Sequence, residues 1–304
     1  MLTRRTVLGA ALAAATLASA PAVAADWKTE YPEITFAIVP AENASGVTER
    51  WGPYVDYLSK ELGVKVTLRI AQDYAAVIEG QRSGEIHVAY YGPSAFARAL
   101  MTGVNTEAFA MEVSKGGVQG YYSVFYVKAE SPYQKIEDLK GKNLGLVDPN
   151  STSGNNVPRF EMDKMGIDPE TFFSKVVYAG SHENAVTALQ QGTVDVAANW
   201  WNAEDDSNLL RMATKGMVKA EDYRVIYKSP MIVNSPVAYL ADLPADMKTA
   251  IKAAFLESPV KAKEAFDRIS DGKNEPWAEN DNSRYDTIIE LNKFVDALKK
   301  KKAS

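Results

Sequence analysis

Strand-like and helix-like runs alternate along most of this chain, and that order limits the fold more than any other feature. Residues 34–39 are β-branched and aromatic in alternation, which predicts a strand. Residues 51–62 then place Trp51, Tyr54, Val55, Leu58 and Leu62 at helical spacing, an amphipathic helix that Gly63 ends. A strand over 64–70, a helix opened by Asp73, a strand over 86–91 and a helix over 94–101 continue the pattern. The last of these starts at Gly92-Pro93, where the proline's missing N–H costs nothing because the first helical turn does not use it. Such alternation predicts an α/β architecture of mixed, mostly parallel sheets flanked by helices. Open sheets of this kind gather ligands at the carboxyl ends of their strands.

The most informative of those ends is Asp148-Pro149-Asn150-Ser151-Thr152-Ser153-Gly154, between a strand expected over 143–147 and a helix over 157–165. The first N–H groups of a helix have no intrahelical acceptor and lie at the positive end of its dipole. Three consecutive hydroxyl residues there can cap the helix or hold a ligand oxygen. Together, hydroxyls and N–H groups make an oxyanion site that needs no lysine or arginine. Gly92-Pro93, flanked by Tyr91, is a second junction of the same kind.

Further strands are expected over 109–112, 121–128, 176–178, 194–198, 224–227 and 237–240, and helices over 185–191, 245–256, 260–269 and 284–301. Residues 127–131 and 228–236 read as crossings between two lobes. They divide the mature chain into a discontinuous first lobe, 25–128 plus 236–304, and a continuous second lobe, 129–235.

Composition narrows the function classes. The 304 residues include no cysteine, which excludes disulfides and thiolate metal sites. His87 and His182 are the only histidines, and a catalytic zinc normally takes two or three. No metal or cofactor is therefore expected. Residues 1–24 read as a signal peptide of twin-arginine-like type: Arg4 and Arg5, an apolar run over 7–18, then Ala22-Val23-Ala24 as a cleavage site. Its removal takes away two positive charges and no acidic ones, so the formal charge moves from −5 to −7. An acidic chain lacks the basic footprint that nucleic acid requires. Any anion must be held by local, aimed dipoles.

Asp73-Tyr74-Ala75, Tyr90-Tyr91-Gly92, Ser151-Thr152-Ser153-Gly154, Gly180-Ser181-His182-Glu183-Asn184 and Ser229-Pro230, in this order and spacing, resemble the periplasmic phosphonate-binding proteins of ABC transporters. The resemblance runs from Ile34 to about Leu256. It implies a two-lobed periplasmic binding protein fold of the type II kind, with the ligand in the interlobe cleft. It implies a monomer in the periplasm that closes on a phosphonate and presents it to an inner-membrane permease. It further implies that Ser151, Thr152 and Ser153 hold the phosphonate oxygens, that His182 contacts the same group, and that Tyr74 and Tyr91 reach in from the other lobe. Tyr90 and Tyr91 face opposite ways on a strand, and Tyr91, which adjoins the turn, is the one expected in the site. In members that bind aminoalkylphosphonates, carboxylates take the amine at two positions. Here those positions read as Asn202 and Ser235, with Glu204, Asp205 and Asp206 just after the first. Trp200 and Trp201 are expected to wall the substituent on phosphorus, with Glu204 or Asp205 holding it if it is cationic.

Two other functions compete. One is a binding protein for inorganic phosphite, phosphate or a phosphate ester. The other is an exported phosphoesterase or phosphonate hydrolase using Ser153 as nucleophile and His182 as base. The chain has no Gly-x-Ser-x-Gly nucleophile turn, so binding without turnover is the expected activity.

Overall fold

The computed structural model describes residues 26–303, so the signal-peptide reading of residues 1–24 lies outside the described residues. Within them thirteen strands build two sheets. In chain order they are β1 (Glu33–Ile38), β2 (Lys65–Ile70), β3 (Val88–Tyr90), β4 (Thr106–Ser114), β5 (Gly120–Lys128), β6 (Asn143–Leu146), β7 (Lys175–Tyr178), β8 (Val196–Ala203), β9 (Asp206–Ser207), β10 (Tyr223–Lys228), β11 (Ile232–Val233), β12 (Pro236–Leu240) and β13 (Asn274–Glu279). The first sheet has the order β13-β4-β12-β3-β1-β2; the second has β10-β5-β8-β6-β7, with β11 added to β5 and β9 to β8. Parallel pairing is confined to β2-β1-β3 and β7-β6-β8, where helices make the crossovers that parallel strands require. The remaining pairs are antiparallel, so each lobe carries a mixed sheet.

The first crossing differs from the expected one. β5 belongs to the second sheet, so the chain passes between sheets at residues 115–119 rather than at 127–131. The reason lies in β5 itself. Val124, Phe125, Tyr126 and Val127 are all buried, on both faces, which suits a central strand with β8 and β10 on either side. Gly116 and Gly117, at φ 79° and 75°, make the turn in a conformation other residues rarely adopt. The second crossing, residues 234–235 between β11 and β12, falls within the expected stretch.

The helix Ala44–Leu62 begins earlier than its apolar pattern suggests, because the Asn43 side chain accepts the Gly46 N–H as a cap. Its buried face carries Val47, Trp51, Tyr54, Val55, Leu58 and Leu62, and Gly63 ends it at φ 68°. Trp51 and Tyr54 pack edge-on with Phe36 and Phe255 over the first sheet. Each such buried side chain contributes about 1.5–3 kcal/mol. A separate apolar cluster bridges the lobes, running from Val77, Tyr91 and Phe96 to Tyr121, Val147 and Val157. The last helix, Asp286–Ala303, touches both lobes: Asp296 forms a bidentate pair with Arg98 at 2.6 and 2.8 Å, and Phe294 packs on Phe160. Asn292, on the same helix, donates to the Ser94 carbonyl, which supports the helix start that faces the cleft.

Candidate ligand-binding cleft

A cavity of about 130 Å³ lies between the sheets, just past the carboxyl ends of β1, β3 and β6. Two groups of polar side chains line it. The first is built on the turn after β6. Ser151 caps that turn, its hydroxyl accepting the Gly154 N–H at 3.1 Å, and the wide turn over Thr152–Asn156 closes with Asn156 N–H donating to the Ser151 carbonyl at 3.0 Å. Gly154 is required by close approach, because a Cβ there would sit 2.4 Å from the Val147 side chain and 2.7 Å from Ser151 Oγ. Thr152 Oγ1 accepts the Ser94 N–H at 2.8 Å, which joins this turn to the start of the helix Pro93–Met101 in the other lobe. The Tyr74 hydroxyl meets Ser151, and the Tyr121 hydroxyl meets Thr152 and Ser153. Burial pushes the Tyr121 phenol up to about 12 and Tyr74 well above its usual range, so both stay protonated donors.

His182 completes this group. It starts the helix His182–Gln190, capped by Ser181, and its backbone N–H donates across the lobes to the Ala41 carbonyl at 3.0 Å. The Asn199 amide donates through Nδ2 to the His182 carbonyl, so its Oδ1 faces His182 Nδ1 at 3.1 Å. An amide oxygen only accepts, which assigns the proton to Nδ1 and leaves Nε2 facing Ser151 Oγ at 3.5 Å. Burial, partly offset by Asn199, lowers the His182 pKa to about 3. The imidazole is therefore neutral in the folded protein, while the unfolded chain takes up a proton below its ordinary value of about 6.5. Stability should fall as pH drops from 6.5 toward 3, by up to about 1.4 kcal/mol per pH unit. Urea unfolding of wild type and His182→Gln between pH 7 and 4 checks this. The wild-type curve should lose stability faster than the variant's on going down, and parallel curves would contradict it.

The second polar group surrounds Tyr90, whose hydroxyl donates to Glu112. Arg50 is paired with Glu42 at 3.0 Å and Asp271 at 3.3 Å. Arg211 is paired with Asp206 at 3.2 Å and lies over the Trp200 ring, 4.6 Å from its centroid. Asn202 Nδ2 donates to the same Asp206 at 2.7 Å.

Of the residues expected from sequence, Tyr74, Ser151, Thr152, Ser153, His182, Trp200 and Asn202 line the cavity. Tyr91 does not: it is fully buried in the core, its hydroxyl donating to Gln81 Oε1 at 3.1 Å, and Tyr90 occupies the cleft face instead. Trp201 also turns away, because β8 extends through both tryptophans and neighbouring strand residues face opposite ways. It packs against Tyr122, with Lys228 Nζ 3.4 Å from its ring centroid. Glu204 and Asp205 are exposed; Asp205 pairs with Lys273 at 2.8 Å, and it is the buried Asp206 that reaches the site's network. Ser151 Oγ, rather than Ser153 as supposed for hydrolysis, is the hydroxyl at His182, and it already serves as a helix cap. Sequence reading missed Tyr90, Glu112, Tyr121, Arg50 and Arg211, all of which line the cavity. A Tyr-Tyr pair at 121–122 directly after a strand-opening glycine was the one available signal.

Two α/β lobes enclosing a polar cavity walled by hydroxyls and helix starts define a solute-binding protein of the two-lobed periplasmic type. The family model for the periplasmic substrate-binding proteins of phosphonate ABC transporters matches residues 36–283, and the chain belongs to that family. The phosphonates-binding periplasmic protein of Escherichia coli is 34% identical over 227 residues, which cover 73% of this chain and 65% of that protein. The chain thus spans slightly less than two thirds of that relative's length. A phosphate-import protein of Mycolicibacterium smegmatis is 31% identical over 236 residues, 75% of this chain and 72% of its own. The crystal structure of a binding protein component of an ABC phosphonate transporter from Pseudomonas aeruginosa superposes with a TM-score of 0.78 at 28% identity, covering 86% of each chain.

Proposed function

We propose that this protein captures an organophosphonate in the periplasm, after export through its N-terminal signal, and presents it as a monomer to an inner-membrane ABC permease. The hydroxyls of Ser151, Thr152 and Ser153, with those of Tyr74 and Tyr121, hold the three phosphonate oxygens, and the N–H groups of Ser94 and Gly154 behind them orient the Thr152 and Ser151 hydroxyls as donors. The observation that carries this reading is the meeting of hydroxyls and helix starts from both lobes at one wall, with Ser94 N–H on Thr152 Oγ1 joining them. Such a wall complements an oxyanion through dipoles and donors, which avoids burying an unpaired cation. The neutral His182 offers Nε2 as a proton acceptor, either to Ser151 or to a protonated phosphonate oxygen.

Binding couples to lobe closure. The hinge is the pair of crossings at 115–119 and 234–235, and the closed contacts include His182 N–H to Ala41 and Asn43 N–H to Glu183. The cavity continues beyond the hydroxyl wall to Trp51, Trp200, Glu112 and Arg211, which leaves room for a substituent and favours an organophosphonate over phosphite or phosphate.

A thermal-shift panel of methylphosphonate, 2-aminoethylphosphonate, phosphite, phosphate and phosphate esters tests the proposal. A ligand at a hundred times its Kd should add about 2.7 kcal/mol of stability. The expected outcome is the largest shift with an organophosphonate. Stabilisation by an unrelated solute and by none of these oxyanions would overturn the reading. A larger shift with phosphate than with any phosphonate would reassign the ligand, and phosphate released from an ester would restore the hydrolase reading.

A further inference from the structure

We infer that the second polar group of the cavity is a subsite for an amino-carboxylate, so that the preferred ligand is a phosphonate whose carbon chain carries both a carboxylate and an amine. The inference rests on the phosphonate reading above and adds the identity of the substituent.

Two buried donors without partners point to the carboxylate. Arg211 Nε and Asn234 Nδ2 have no hydrogen-bond acceptor, and both residues line the cavity. The orientation of each is set by its other contacts. Asn234 is 2% exposed, and its Oδ1 accepts the Ser235 N–H at 3.1 Å, which leaves Nδ2 as its open side. The Arg211 guanidinium is held by Asp206 through Nη2 and by the face of Trp200. A buried donor left unpaired is costly, and the two oxygens of a ligand carboxylate are acceptors of the kind both atoms lack. Asn202 and Ser235, which also line this part of the cavity, are uncharged and do not repel an anion.

Glu112 supplies the opposite chemistry. Its carboxylate accepts from Tyr90, while of the arginines in this part of the molecule Arg50 is engaged by Glu42 and Asp271 and Arg211 by Asp206. Its negative charge is therefore available to an ammonium group, with the rings of Tyr90 and Trp51 alongside at 5.1 Å from each other. Arg50 feels the charges of both Arg211 and Glu112, and Tyr90 feels the same two, so donor and acceptor converge on one small region. An amine alone would leave Arg211 Nε and Asn234 Nδ2 unpaired.

Isothermal titration of the purified protein with 2-amino-3-phosphonopropionate, 3-phosphonopropionate, 2-aminoethylphosphonate and methylphosphonate tests this. 2-Amino-3-phosphonopropionate should bind at least tenfold more tightly than either single-group analogue. Arg211→Lys keeps a charge for Asp206 but removes the Nε donor. It should cut affinity for the two carboxylate-bearing ligands at least tenfold more than affinity for 2-aminoethylphosphonate. Glu112→Gln keeps the shape and an acceptor for Tyr90, and should do the converse to the two amine-bearing ligands. Measurable methylphosphonate binding by each variant shows that it has folded. If any of the other three ligands binds as tightly as 2-amino-3-phosphonopropionate, or if both variants weaken all four ligands alike, the inference is overturned. If methylphosphonate binds and the added groups bring nothing, this inference alone falls; if none of the four binds, the phosphonate reading falls with it.

Discussion

Replacing Thr152 with valine is expected to weaken phosphonate binding by about two to four orders of magnitude. The two side chains have nearly the same shape, so the change removes one hydroxyl and little else. That hydroxyl accepts the Ser94 N–H across the cleft at 2.8 Å and faces the cavity beside Tyr121. Thr152 and Ser94 are both buried, so water does not replace the lost acceptor. An orphaned buried N–H costs about 1–3 kcal/mol, and a hydrogen bond to a charged ligand contributes about 1.5–3 kcal/mol. Their sum, about 2.5–6 kcal/mol, corresponds to roughly two to four orders of magnitude in Kd. Thr152→Ser keeps the hydroxyl and should stay within a few-fold of wild type. Titration calorimetry with methylphosphonate separates the two, and a Thr152→Val protein that binds within threefold of wild type would remove Thr152 from the site.

The second large effect is expected from Glu183→Gln, and it should fall on the rate of release. Glu183 is 2% exposed and lies in the first turn of the helix His182–Gln190, where the helix dipole favours a carboxylate. Oε2 accepts the Asn43 N–H of the first lobe at 2.8 Å, and Oε1 binds Lys215 Nζ at 2.8 Å. Lys215 in turn reaches Glu42 of the first lobe at 2.7 Å. Burial opposes the charge on Lys215, but the two carboxylates outweigh it and hold its pKa above the ordinary lysine value. The Glu183–Lys215 pair lies within the second lobe and persists when the lobes separate, so what closure adds to Glu183 itself is the Asn43 N–H bond to a buried carboxylate. A hydrogen bond to a charged group contributes about 1.5–3 kcal/mol. That is roughly a 10- to 150-fold loss of affinity. Stopped-flow kinetics should place it in faster dissociation, with association little changed. An unchanged dissociation rate would contradict a closure role for Glu183.

These two residues also mark what a single sequence can disclose. Thr152 and Glu183 sit in local patterns, hydroxyls at a strand–helix junction and an acid in a first helical turn, and local physics assigns those patterns without knowledge of the fold. The same holds for the caps at Asp73 and Ser181, whose side chains accept N–H groups three residues on. Tyr90 and Tyr91 show the limit. Alternation establishes that they face opposite ways, but which face meets the cleft depends on where the second lobe docks. Trp200 and Trp201 pose the same problem, compounded because β8 runs further than its apolar core suggests in order to pair with β5. Arg50, Glu112 and Arg211 carry no local mark at all. They stand on the helix Ala44–Leu62, on β4 and on the helix Asn208–Thr214, and only the closing of one lobe on the other brings them to one cavity. The first crossing was misplaced for a related reason: strand membership in a sheet is decided by partners far away in the chain.

The hydroxyl wall after β6 is where the phosphonate head is expected to sit. A crystal structure of the protein with methylphosphonate decides whether it does. The phosphonate oxygens should lie within about 2.5–3.0 Å of the hydroxyl oxygens of Ser151, Thr152 and Ser153, with the hydroxyls of Tyr74 and Tyr121 donating alongside. Density for the ligand at Arg50 and Arg211, or outside the cleft, with that wall unoccupied, would contradict it.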